Sequence, residues 1–201
     1  MTILPSVYWG SAEWYARILQ CGDCVIDLGE NYVKRSERNR TRIMTAGGVM
    51  QLSAQLCHAD RPRQPMRDMR LDYSKRWQHQ HWTAMVSAYR SSPYFDHYAD
   101  RFADLYGREW RYLVDYNMEI LSRTLDVLRC GDCMPAVSES YVEAAAGDTD
   151  LRDKRRGSTF SIEPYVQVFA ERVPFEPNLS IVDLLMCEGP AAVAILRRCR
   201  L

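Results

Sequence analysis

One tetrapeptide, Cys-Gly-Asp-Cys, occurs twice in the chain, at Cys21–Cys24 and Cys130–Cys133, and this repeat constrains the fold more than any other feature. The likeness continues at the same offset: Leu19, Glu30, Tyr32 and Val33 correspond to Leu128, Glu139, Tyr141 and Val142. Each copy reads as a helix end, the CGDC turn, a short apolar strand and then Glu-x-Tyr-Val. The strands are Val25-Ile26-Asp27-Leu28 and Met134-Pro135-Ala136-Val137. The proline in the second suits a strand start or a sheet edge, because it cannot donate to the ladder. Two equivalent helix–strand units place both turns at one edge of a common sheet.

Three readings of the four thiols stay open. Cys21, Cys24, Cys130 and Cys133 could ligate one structural zinc if the two turns meet. They could form a redox pair, which needs a low-pKa thiolate, or they could be reduced thiols flanking turn glycines. With seven cysteines and no secretory signal, reduced thiols are the expected state.

The rest of the chain supports an α/β class, a layered sandwich of a mixed sheet with helices, as a single domain over 1–201. Thr2–Tyr8 reads as the first strand, Ser11–Gln20 as a helix capped by Ser11, and 23–28 as the second strand. Segments 42–45 and 49–54 flank Gly47-Gly48 as a hairpin. The middle and C-terminal parts are helix-rich. One helix covers Lys75–Tyr89, a second restarts at Ser92-Pro93, and a third spans Glu109–Leu128. Tyr94, Tyr98, Phe102 and Tyr106 recur every four residues as a core stripe. Ser180 to Asp183 has the form of a capping box, opening a helix that stops at Gly189. The polar segment Asp148–Gly157 is expected to be mobile.

Composition excludes several functions. Twenty-six basic residues balance twenty-six acidic ones, so no net charge draws the chain to nucleic acid. The longest charge-free run, Ile43–Ala59, has 17 residues and includes Gly47, Gly48 and His58, so no integral membrane segment is expected and the location read is cytoplasmic. No P-loop, GxGxxG, HExxH or GxSxG motif is present.

Chemistry concentrates after the second strand, in ENYVKRSERNR, residues 30–40. If extended, this strip puts Glu30, Tyr32, Lys34, Ser36, Arg38 and Arg40 on one face. Such a strip lies where open α/β sheets bind ligands, at the carboxyl ends of strands. Guanidinium groups suit a phosphate or carboxylate, so Tyr32, Lys34, Arg38, Asn39 and Arg40 are the candidate substrate-binding residues. On composition alone the same row reads as a solvated charge run on an edge strand. Asn178 and Ser180 precede a helix start and join the binding set.

The chain resembles the WbqC-like protein family in four stretches. These are Leu4-Pro5 with Trp14-Tyr15, the ENYVKRSERNR strip, Trp77 to Phe95, and Tyr165 to Pro190 with its PNLSIVDLL…EGP core. The paired CGDC turns are not part of that family pattern. The resemblance implies bacterial surface-polysaccharide (O-antigen) biosynthesis, with transfer of an aminoacyl group such as glycine to a sugar as one activity. It implies no catalytic set, so roles come from the residues. His81 is the candidate base, sharing a cleft with Glu30 or Tyr32. The expected partner is a phosphorylated or carboxylated small molecule such as a sugar nucleotide, and structural zinc is the one cofactor considered. A non-catalytic module binding an anionic ligand or partner protein is the alternative.

Overall fold

In the computed structural model, which describes residues 1–153 and 157–201, the apolar segments Thr2–Pro5 (β1) and Cys24–Asp27 (β2) pair in parallel. Between them lies α1, Ala12–Gln20, whose Trp14, Tyr15 and Ile18 are buried. The first strand is shorter than its apolar run. The chain leaves the sheet after Pro5 and turns through Trp9, whose φ is 48°.

The segment after β2 does not continue as a strand. It turns at Arg35, where φ is 58°, and regains regular pairing only in the hairpin of β3 (Arg40–Thr45) and β4 (Gly48–Ser53). Gly48 sits at the turn with φ of 101°, a conformation that suits glycine. The middle helices are α2 (Trp77–Tyr89), α3 (Phe95–Ala103) and α4 (Leu113–Val127). In the aromatic stripe Phe102 and Tyr106 are buried, while Tyr94 and Tyr98 are half-buried and stack at 6.2 Å.

After α4 come β5 (Ala136–Ser138) and β6 (Thr149–Asp150). The four parallel strands run in the order β5-β2-β1-β6, and the antiparallel hairpin forms a second sheet. The repeat therefore places its two strands side by side. The register joins Val25 to Ala136, whereas the repeat aligns Val25 with Met134. That slip is even, so each strand keeps its faces. The segment expected to be mobile contributes β6, although its residues 154–156 lie outside the described residues.

The chain ends in α5 (Ile181–Glu188) and α6 (Ala192–Arg198), which pack with α1. Ser180 caps α5 by accepting from the Val182 N–H at 3.3 Å. Asp183 does not complete a capping box. It is sealed in the core, where it accepts from Tyr89 Oη at 2.9 Å, Tyr165 Oη at 2.6 Å and Gln167 Nε2 at 2.9 Å. Gly189 ends α5 with φ of 53°, and a side chain there would strike the Tyr94 ring. The architecture is α/β.

Candidate functional site

The order β5-β2-β1-β6 contains a reversal. The chain builds outward from β1 through β2 to β5, then returns to the other side of β1 as β6. Open parallel sheets bind ligands beyond the carboxyl ends of their strands at such a switch point. A cavity of about 350 Å³ lies there, walled by Pro5 at the end of β1, by Val7 beyond it, and by Leu151 and Arg152 after β6. Trp14 gives it an apolar side. Arg17, Arg35, Arg38, Arg40, Arg42 and Arg152 also line it, against the carboxylates of Glu13, Glu37 and Asp153.

Much of this charge is tied into the framework. Arg38 clasps Glu30 with Nε–Oε1 at 2.9 Å and Nη2–Oε2 at 2.5 Å, and its Nη2 also donates to the Arg152 carbonyl at 2.9 Å. Burial pushes the Glu30 carboxyl up to about 6 against the pull of the Arg38 guanidinium. Arg152 pairs with the fully buried Asp27 and, at 2.6 Å, with Asp150, and its guanidinium covers the Tyr141 ring at 4.5 Å. Arg17 binds Glu13 at 3.0 Å, and Arg42 reaches Glu176 at 3.2 Å. Arg40 differs: its Nε is buried at the cavity wall and has no hydrogen-bond partner among the described residues.

The residues singled out by sequence divide into three groups. Arg38, Arg40, Asn178 and Ser180 line the cavity, with Glu30 directly behind Arg38. Tyr32 and Asn39 bond to each other instead: Tyr32 Oη donates to Asn39 Oδ1 at 2.9 Å, and Asn39 Nδ2 donates to the Ala54 carbonyl at 2.9 Å. Lys34 is exposed and outside the cavity lining. The turn at Arg35 breaks the alternation that an extended strip requires. Asn178 Oδ1 accepts from the Glu13 N–H at 2.9 Å, so it caps α1 from across the chain.

His81 is not in a cleft with Glu30 or Tyr32. Its Nδ1 shares a 2.9 Å hydrogen bond with Tyr8 Oη, its ring meets Trp77 edge-on at 5.1 Å, and the residue is 5% exposed. Burial lowers its pKa to about 4, which keeps the ring neutral near pH 7. The helical spacing correctly joins Trp77 and His81 on one face, but that face is the core.

The four thiols do not assemble a zinc site. Among the described residues no three His, Cys, Asp or Glu side chains converge as metal ligands. Cys21 Sγ donates to Thr2 Oγ1 and to the Asp23 carbonyl, both at 3.2 Å, and Cys130 Sγ donates to the Leu128 carbonyl at 3.4 Å. Burial opposes ionisation of Cys21, but its hydrogen bonding with Cys24, Thr2 and the Asp23 backbone outweighs it and lowers the pKa. Burial pushes the Cys24 thiol up to about 12.

Sequence reasoning missed Arg17, Glu37 and Arg152. Arg17 carries a weak local signal, its i,i+4 spacing from Glu13. Arg152 sits two residues from Asp150, a spacing too common to mark a site, and its other partner Asp27 lies on a distant strand. Glu37 was inside the strip but off the alternating face.

Comparison with known sequences identifies a family. The sequence model described as the WbqC-like protein family matches residues 6–155, which include most of the cavity wall and stop short of the Tyr165–Pro190 stretch. A curated relative, "Uncharacterized protein Rv1507c" of Mycobacterium tuberculosis, is 25% identical over 232 residues, covering 100% of this chain and 98% of its own. No solved structure matches the chain. No helix among the described residues is long and apolar enough to cross a membrane. With three quarters of its length matched, the chain belongs to the WbqC-like protein family.

Proposed function

We propose that the switch-point cavity binds the phosphate or carboxylate of a small molecule such as a sugar nucleotide. In this reading the protein is a cytoplasmic group transferase of bacterial surface-polysaccharide assembly, moving an aminoacyl or other acyl group to a sugar. The observation that carries the binding step is Arg40, whose buried Nε has no partner among the described residues, beside a cavity rich in guanidinium groups. A buried donor without an acceptor calls for one. An incoming oxyanion supplies it with a charge-assisted bond. Trp14, Val7 and Pro5 offer the apolar surface against which the rest of a ligand packs.

The position of His81 favours a second reading, a binding module without proton chemistry of its own. Calorimetry with a uridine diphosphate sugar tests the binding step shared by both. Arg40→Met should weaken affinity about 10- to 100-fold, the range for a lost charged hydrogen bond, and leave the melting temperature within a few degrees. Equal binding by both proteins would remove the cavity from consideration. Product analysis after adding an activated acyl donor then separates transferase from binder.

A further inference from the structure

The cavity's carboxylates are not equivalent. Glu13 is engaged by Arg17, by Ser158 Oγ at 2.7 Å and by Asn178 Nδ2 at 3.4 Å. Glu37 forms no ion pair among the described residues. Its backbone is anchored, since its carbonyl accepts from the Tyr8 N–H at 2.9 Å. Among the described residues its side chain accepts from Ser11 Oγ at 3.2 Å, and its surface is open to the cavity. A carboxylate with no ion pair among the described residues stands out in a cavity lined by six arginines, four of which are held by other carboxylates.

We propose that Glu37 is the proton-exchanging residue of this cavity: a dianion entering among the arginines brings one proton onto the Glu37 carboxylate. The inference rests on the anion-binding reading above. In the empty cavity an ionised Glu37 balances part of the arginine charge. A dianion takes over that balance and repels the carboxylate at short range, where salt screens little. Protonation removes the repulsion and turns Glu37 from acceptor into donor, able to bond the ligand's oxygen. The ligand class is therefore a doubly charged oxyanion, and the same proton is available to a leaving group or from an attacking hydroxyl or amine.

The groups around Glu37 act on its carboxyl in opposing senses. Burial raises the Glu37 pKa, the Ser11 bond and Arg42 lower it, and Glu13 raises it again. The other charged groups on the walls are Arg17 on α1, Arg40 on β3, and Arg152 and Asp153 after β6, with Arg35 and Arg38 on Glu37's own segment. None of the four histidines lines the cavity.

Sulfate is a suitable probe because its charge is constant from about pH 5.5 to 7.5, so any pH dependence belongs to the protein. Calorimetry at fixed ionic strength, in two buffers of different ionisation enthalpy, measures affinity and proton uptake together. The native protein should bind sulfate about fivefold or more tightly at the lower pH, with uptake approaching one proton. Glu37→Gln should bind equally at both pH values with no uptake, and Glu37→Asp should restore uptake. Sulfate binding by the native protein without uptake would overturn the role of Glu37 and leave the anion site standing. Uptake surviving in Glu37→Gln would assign the proton elsewhere, first to Glu30, and equally overturn it. No sulfate binding by either protein would remove the anion site and this proposal together.

Discussion

Arg38 and Glu30, eight residues apart, close a two-pronged ion pair with both side chains sealed, at 2% and 5% exposure. A pair of this kind behaves differently from a surface ligand-binding arginine. Removing one partner strands the other charge in low dielectric, a loss of about 3–5 kcal/mol, whereas replacing both with apolar groups is often close to neutral. Arg38→Ala should therefore lower stability by about that amount in chemical denaturation, with Arg38→Met/Glu30→Leu recovering much of it. A loss below about 1 kcal/mol would mean that the pair is open to solvent.

His81 makes the opposite kind of statement about pH. Its folded pKa, about 4, lies below the ordinary histidine value, so between the two the unfolded chain binds more protons. Stability contributed by the neutral ring is complete above about pH 6.5 and falls as the pH drops toward 4, by about 3 kcal/mol at most. Glu30, whose carboxyl is pushed up to about 6, tilts the profile the other way, and its contribution is lost as pH rises through that value. Comparing His81→Gln with the native protein across this range isolates the histidine. Parallel stability curves would show that His81 is not the group responsible.

Asn178 joins two demands in one residue, a φ of 55° and a cap on α1. Asn178→Gly should lose the cap alone, about 1 kcal/mol. Asn178→Ala should lose the cap and also bear the left-handed backbone, about 1–2 kcal/mol more. Equal losses in thermal melts would show that the backbone relaxes.

Among the thiols, Cys21 is the one whose pKa is lowered, while burial raises Cys130, Cys187 and Cys199. Because the thiolate is the nucleophile, iodoacetamide at limiting dose should mark Cys21 ahead of those three in peptide mass spectra. Labelling of Cys187 first would contradict the burial described for it.

Features written in local pattern were legible in the sequence. α1, the Gly47-Gly48 hairpin, the Ser180 cap and the stop at Gly189 each depend on residues within a few positions of one another. The repeat also placed β2 and β5 correctly, because two like units present like edges. What failed were inferences needing a partner far along the chain. The ENYVKRSERNR strip looked like one charged face, yet its geometry is set by the turn at Arg35, and Arg38 is held partly by the carbonyl of Arg152. The alternation of a strand cannot encode either. Asp183 shows the same limit: its spacing from Ser180 suits a cap, but two tyrosines and a glutamine from other segments claim it.

The return of β6 past β1 also orders events in time. The cavity walls come from residues between Pro5 and Gln51, from 151–153 and 157–158, and from Asn178 and Ser180, so a chain that stops before Leu151 cannot enclose a ligand. Closing contacts between such distant segments costs loop entropy before any contact repays it, which makes them late steps in folding. A ligand that binds only the finished cavity then stabilises the whole fold by mass action. On the ribosome, occupancy of this site would mark a chain that has been synthesised past Ser180.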